Sequence, residues 1–195
     1  KATGLILNQS KEIGWSEFIA DEVYERMGKD QDIVAITPAM ISGSKMEKIF
    51  KDYQERAFDV GIAEAHAATF AAGLAISGKK PFLSIYSSFL QRAYDQLNHD
   101  IARMNLAVVV GIDRAGLVAG DGETHHGVFD LGILKPLPNT YIYAPSSKKE
   151  AQWFLDEAFK AEHGLYCIRY GKQIVKDYPC DTKQLAIGKW HYISQ

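Results

Sequence analysis

The sequence predicts an α/β domain in which a mostly parallel sheet lies between two layers of helices. Segments with apolar residues at helical spacing alternate with short apolar runs of strand length, the pattern of successive βα units. The clearest of those runs, residues 107–112, is continuous and rich in β-branched side chains, as a strand requires. The chain has 195 residues, 47% apolar and 24% charged, enough for one ordinary domain with a substantial core.

The elements follow in order. Trp15, Phe18, Ile19, Val23 and Met27 mark a first helix over 15–27, and Gly28 stops it. Residues 33–36 form a short buried strand closed by Thr37-Pro38, and a helix over 45–51 leads to a second strand at 57–60. Residues 64–76 are rich in alanine, the best helix former, and end at Ser77-Gly78. Small side chains there also let another helix approach closely. A third strand spans 81–86, helical signals run on to Met104, and the strand at 107–112 leads into a glycine-rich loop over 113–127. A strand at 141–143, a helix at 147–161 and a last strand at 166–170 complete the pattern. The expected division is a linker over 1–14, one domain over 15–172 and a tail over 173–195 with room for one edge strand.

Several function classes are disfavoured. A net charge of −2 gives no basic stripe for nucleic acid. No apolar run is long enough to span a bilayer and no signal-peptide pattern opens the chain, so a cytoplasmic protein with no membrane partner is expected. Cys167 and Cys180 match no zinc spacing. Cys167 reads as an inert core residue and Cys180 receives no role. The adjacent pair His125-His126 is rejected as a metal site, because neighbouring side chains diverge and no third ligand follows at standard spacing. His66 and His99 read as packed or exposed helix residues, with His66 a weak candidate. A chain that begins at Lys1 is expected to be a segment of a longer protein.

Four segments carry a more specific signal. They are Ile36-Thr37-Pro38-Ala39-Met40; Phe58-Asp59-Val60-Gly61-Ile62-Ala63-Glu64-Ala65-His66 with Thr69-Phe70-Ala71-Ala72-Gly73; Ile85-Tyr86-Ser87-Ser88-Phe89-Leu90-Gln91-Arg92-Ala93-Tyr94-Asp95-Gln96; and Ile112-Asp113-Arg114-Ala115-Gly116-Leu117-Val118 leading to Asp121-Gly122-Glu123-Thr124-His125-His126-Gly127. Together they resemble the middle, pyrimidine-binding domain of the 1-deoxy-D-xylulose-5-phosphate synthases, thiamine-diphosphate enzymes related to transketolase. The likeness covers residues 15–169.

The resemblance implies a cofactor, thiamine diphosphate, that carries the hard chemistry. It implies that Glu64 bonds N1′ of the pyrimidine ring and so promotes the imino tautomer that acts as the cofactor's internal base. That role suits a carboxyl group in an apolar setting, which Ile62, Ala63 and Phe89 could supply. Read locally, Glu64 is an acidic residue at a helix start, a common position for one. By the same resemblance Phe89 stacks on the ring, Ile62 and Met40 line the cofactor pocket, and Tyr86 faces substrate. Alone, Phe89 and Tyr86 would read as core aromatics near a strand end.

Arg114 matches the family's phosphate-binding arginine, at the carboxyl end of a strand where open α/β sheets bind ligands. Its fork suits bidentate phosphate recognition, although Asp113 beside it offers a structural ion pair instead. Arg92 is a second basic candidate. Asp121 and His125 match substrate-hydroxyl and proton-transfer positions, and a histidine titrates near neutrality.

The sequence departs from the family at Arg169-Tyr170-Gly171-Lys172-Gln173, where Arg-Tyr-Pro-Arg-Gly is usual, so Lys172 stands for a phosphate-gripping arginine. Ala119-Gly120 also reverses the usual Gly-Ala. Mg²⁺ and the diphosphate are expected to be held on a preceding domain, by a Gly-Asp-Gly segment with a downstream asparagine. The implied reaction joins pyruvate and glyceraldehyde 3-phosphate, in a homodimer, toward isoprenoid and thiamine precursors, and this chain alone is expected to be inactive. Two alternatives remain: a transketolase-like enzyme of other sugar phosphates, and a non-catalytic assembly or regulatory domain.

Overall fold

The computed structural model describes residues 12–176, 178 and 185–189. Cys180, most of the proposed 1–14 linker and much of the 173–195 tail lie outside the described residues.

Six strands, β1 (Ile33–Thr37), β2 (Ala57–Asp59), β3 (Lys80–Tyr86), β4 (Val108–Asp113), β5 (Thr140–Tyr143) and β6 (Leu165–Arg169), form one sheet in the order β2-β1-β3-β4-β6-β5. Every adjacent pair is parallel. Consecutive side chains of a strand point to opposite faces, and here both faces are buried. Val108, Val110 and Ile112 join Leu83, Ile85 and Cys167 in one core, while Val109 joins Phe82, Tyr166 and Ile168 in the other. That is why the strands read as continuous apolar runs.

The first core lies under α3 (Glu64–Ile76) and a helical stretch built from a 3₁₀ turn (Leu90–Ala93), α4 (Tyr94–Gln96) and a π-helical turn (Leu97–Ala102). The second lies under α1 (Trp15–Lys29) and α6 (Lys148–Lys160). Ser147 caps α6 by accepting the Glu150 N–H, the expected chemistry at a helix start.

Three local features differ from expectation. Lys45 adopts φ 59°, a left-handed backbone that breaks helical continuity, so α2 begins at Glu47 and runs to Asp52. The stretch of helical signals up to Met104 changes pitch twice. A short α5 (Asp130–Leu134) appears where no element was read. Its first residue, Asp130, is buried and takes both Nε and Nη2 of Arg169 at 2.9 and 3.1 Å. The ion pair that anchors α5 joins residues far apart in sequence, so no local periodicity reports it.

In a parallel sheet all carboxyl ends share one edge. The connections reverse direction between β1 and β3, since β1 leads outward to β2 while β3 leads the other way to β4. A crevice opens at such a switch point.

Candidate active site

A cleft of about 580 Å³ occupies that crevice, within the size range of small-molecule sites. One wall is the loop after β1, from Pro38 to Gly43; the other holds Glu64, Tyr86, Phe89 and Arg92, with Asp59 and Ile62 at the rim. Thr37 Oγ1 donates to the Ser84 carbonyl at 3.1 Å and ties β1 to β3 beneath the cleft. Asp59 Oδ1 accepts the N–H groups of Ala39 (2.8 Å) and Gly61 (2.9 Å), so one carboxylate fixes both loops that frame the opening. Ala39 and Gly61 both have positive φ, 60° and 71°. For alanine that backbone is strained, and such strain concentrates at functional sites.

Glu64 is the first residue of α3 and only 4% exposed. Its Oε1 pairs with Arg92 Nη1 at 2.5 Å. The same guanidinium lies 4.7 Å over the Phe89 ring. A flat group that donates to Glu64 and rests on Phe89 therefore already sits in the cleft. Phe89 in turn stacks on Tyr86 (centroids 5.7 Å apart) and meets His125 edge-on at 5.4 Å. Burial pushes the Tyr86 hydroxyl above its ordinary pKa against the opposing pull of Arg114.

Arg114 leaves β4 with φ 58°. Its backbone N–H donates to Asp113 Oδ1 at 2.7 Å, and its Nη1 reaches Asp113 Oδ2 and the Gly43 carbonyl, both at 3.0 Å. The guanidinium carbon stands 3.9 Å over the Tyr86 ring. Gly43 has to lack a side chain, because a Cβ there would overlap the Tyr86 hydroxyl. Tyr86 and Arg114 thus both press on the loop that forms the far wall of the cleft.

Asp121 sits between two cations, 2.5 Å from Lys172 Nζ and 3.5 Å from Arg114 Nε. The Lys172 hydrogen bond, ahead of other effects, holds the Asp121 carboxyl below the ordinary range. Desolvation acts the other way on fully buried Asp113 and pushes its carboxyl up, with Arg114 opposing.

A scan against protein-family descriptions matches residues 11–177 to the pyrimidine-binding domain of transketolase. The chain belongs to that family. It is 50% identical over 99% of its length to a 1-deoxy-D-xylulose-5-phosphate synthase of Listeria innocua, and 48% identical over 97% to that of Lysinibacillus sphaericus. It covers 31% and 30% of those proteins, so it spans about a third of the relatives it matches. Among solved structures, the Pichia stipitis transketolase complexed with sedoheptulose 7-phosphate superposes with TM-score 0.77 at 13% identity, over 85% of this chain and 26% of that one. A split-gene transketolase in an inactive β4 tetramer gives 0.72 at 27% identity, over 86% and 53%.

In this family member Glu64, Phe89, Met40, Ile62, Tyr86 and Arg92 line one cleft. Met40 is buried in the core beneath it, whereas Ile62 is 82% exposed and gives Glu64 little cover. His125 touches the cleft through Phe89. Arg114, Asp121 and Lys172 form an adjacent charged cluster. His126 faces its own loop and accepts the Val118 N–H at Nδ1, 3.0 Å away. Among the described residues, no three His, Cys, Asp or Glu side chains are placed to hold a metal ion, and no helix is long and apolar enough to cross a membrane.

Sequence reasoning missed Asp59, Gly43 and Ser16. Asp59 and Gly43 lay inside or beside the quoted segments, but they act on loop backbone, Asp59 by accepting two N–H groups and Gly43 by leaving room for Tyr86. Ser16 Oγ donates to Asp113 Oδ1 at 2.9 Å across 97 residues, a contact that only the fold creates.

Proposed function

We propose that this chain supplies the pyrimidine-binding half of a thiamine-diphosphate site, in an enzyme that joins pyruvate to glyceraldehyde 3-phosphate with loss of CO₂. The product would be 1-deoxy-D-xylulose 5-phosphate. The observation that carries this reading is a buried carboxyl group, Glu64, beside the half-buried ring of Phe89 in a cleft at the sheet's switch point. The residues fit an aminopyrimidine, because Arg92 already makes the two contacts such a ring would make: a hydrogen bond to Glu64 and a stack on Phe89. The names of relatives about half identical to this chain, 1-deoxy-D-xylulose-5-phosphate synthases, support the product.

When bound, thiamine diphosphate supplies a nucleophilic carbon that accepts the two-carbon unit. This chain's residues do the rest from their positions. Glu64 holds a hydrogen bond at N1′ of the ring, Phe89 and Met40 give it apolar contact, and the 38–43 loop closes one side. Arg114 and Lys172 attract the aldehyde's phosphate, and Asp121 keeps the two cations together until it arrives. His125, beside Phe89, hands a proton to or from the aldehyde oxygen. Mg²⁺ and the diphosphate would be held by the part of the longer protein that this chain does not cover. A homodimer belongs to the same proposal. It is supported by α3, whose apolar residues are spread around the helix, with Ile76 left 68% exposed.

Glu64→Gln in the full-length enzyme tests the reading. Turnover of pyruvate with glyceraldehyde 3-phosphate should fall at least about a hundredfold, the low end for losing a proton-handling group, with circular dichroism unchanged. Activity near wild type would refute it. Running the wild type with a ketose-phosphate donor in place of pyruvate separates the synthase from a transketolase-like enzyme.

A further inference from the structure

Arg114 is a buried cation, and its constraints are unequal around the guanidinium. Nη1 donates to the Gly43 carbonyl and is ion-paired with Asp113 Oδ2, both at 3.0 Å. Nε is a buried donor with no hydrogen-bond partner, 3.5 Å from Asp121 Oδ2, on a side chain only 9% exposed. A buried N–H without a partner is costly, so this edge of the fork is built for an acceptor that arrives from outside. Asp113 makes the asymmetry. Its Oδ1 takes the Arg114 backbone N–H and holds the left-handed turn, while its buried Oδ2, with no hydrogen-bond partner, stays 3.0 Å from Nη1 as an ion pair that restrains the side chain. Ser16, in the first turn of α1, donates to Oδ1 and holds the carboxylate plane.

We infer that Asp113, oriented by Ser16, is a positioning residue that turns the Nε edge of Arg114 toward the Asp121–Lys172 cluster and thereby sets the preference for a phosphorylated aldehyde. The inference rests on the phosphate-binding role proposed above for Arg114. Asp113 itself touches no substrate. Its replacement should therefore alter recognition of the phosphate and leave the carbonyl chemistry alone.

The test uses the full-length enzyme with pyruvate and two acceptors, glyceraldehyde 3-phosphate and unphosphorylated glyceraldehyde. Asp113→Asn keeps the shape and the Oδ1 acceptor but presents an amide to Nη1. It should lower kcat/KM for the phosphorylated aldehyde about ten- to a hundredfold, the range for one charge-assisted hydrogen bond, mainly through KM. Glyceraldehyde should change less than about twofold, since uniform binding alone is lost at the phosphate. Ser16→Ala, a milder change that leaves the ion pair intact, should shift the same ratio in the same direction by a few-fold. If both aldehydes decline in parallel, or the ratio stays at its wild-type value in both variants, the inference is overturned. Arg114→Met run alongside keeps the two levels apart. If it abolishes the preference while Asp113→Asn and Ser16→Ala do not, the positioning role fails and the reading of Arg114 stands. If it leaves the preference intact, the reading of Arg114 fails and takes the inference with it.

Discussion

Arg92 occupies the place where the proposed pyrimidine ring would lie, so replacing it by methionine should strengthen cofactor binding. The ring cannot reach Glu64 until the 2.5 Å ion pair opens, nor lie on Phe89 until the guanidinium moves from its 4.7 Å perch. Arg92 is 51% exposed and Glu64 is 4% exposed. Solvent screening on the arginine side limits the pair to about 1 kcal/mol, the upper end for an exposed ion pair. The partly exposed cation–π contact adds about 0.5–1 kcal/mol. Together they oppose the ring by about 1.5–2 kcal/mol, which corresponds to roughly a ten- to thirtyfold change in Kd. Thiamine diphosphate binding to the full-length protein with Mg²⁺, followed by titration calorimetry, should show Arg92→Met binding tighter by that factor. Thiamine, which lacks the diphosphate, should show the same gain, separating displacement of Arg92 from its long-range attraction for an anion. Affinity equal to or weaker than wild type for both ligands would refute the displacement argument.

Two further outcomes follow from the packing and the buried charge. Gly43→Ala puts a methyl group into the Tyr86 hydroxyl, so Tyr86 or the 38–43 loop must shift; thermal denaturation should show a loss of about 1–3 kcal/mol, typical of overpacking, and Arg114 should lose its bond to the 43 carbonyl. For Asp113, burial raises the folded-state pKa above 3.8, so the native state keeps a proton that the unfolded chain has released. Stability therefore falls as pH rises from the ordinary carboxylate value through the raised one. Urea midpoints of the chain measured from about pH 4 upward should decline across that window, and Asp113→Asn should flatten the decline. A slope identical in the two proteins would contradict it.

The parts of the fold that were legible in the sequence are those where one physical cause acts locally. Residues 107–112 read as a strand because Val108, Val109, Val110 and Ile112 are each buried in one core or the other. Residues 64–76 read as a helix because alanine favours it, and the observed bounds agree. Glu64, Tyr86 and Phe89 were legible through a resemblance, since a carboxyl group near a helix start and two aromatics after a strand have ordinary structural explanations on their own. What escaped was long-range pairing. Arg92 was expected to face substrate, and its seat on Glu64 is set by the change of helical pitch at 90–96, which periodicity does not reveal. Asp130 with Arg169, and Ser16 with Asp113, likewise join residues far apart in sequence.

The charged groups of the site share a logic that their positions along the chain conceal. Several proposed ligand contacts are already engaged by the protein's own side chains: Arg92 on Glu64, Asp121 on Lys172 and near Arg114. Unpaired charges in a half-buried cleft would be costly, and these internal pairs offset that cost before any ligand arrives. They also couple the subsites. A ring that takes Glu64 releases Arg92, the cation closest to Phe89, and a phosphate that takes Lys172 releases Asp121. The released groups are then free to contact the second substrate. Cofactor should therefore tighten binding of the phosphorylated aldehyde, and by linkage the aldehyde should tighten the cofactor by the same factor. Arg92→Met should weaken that coupling in both directions, because the residue that carries it from one subsite to the other is gone.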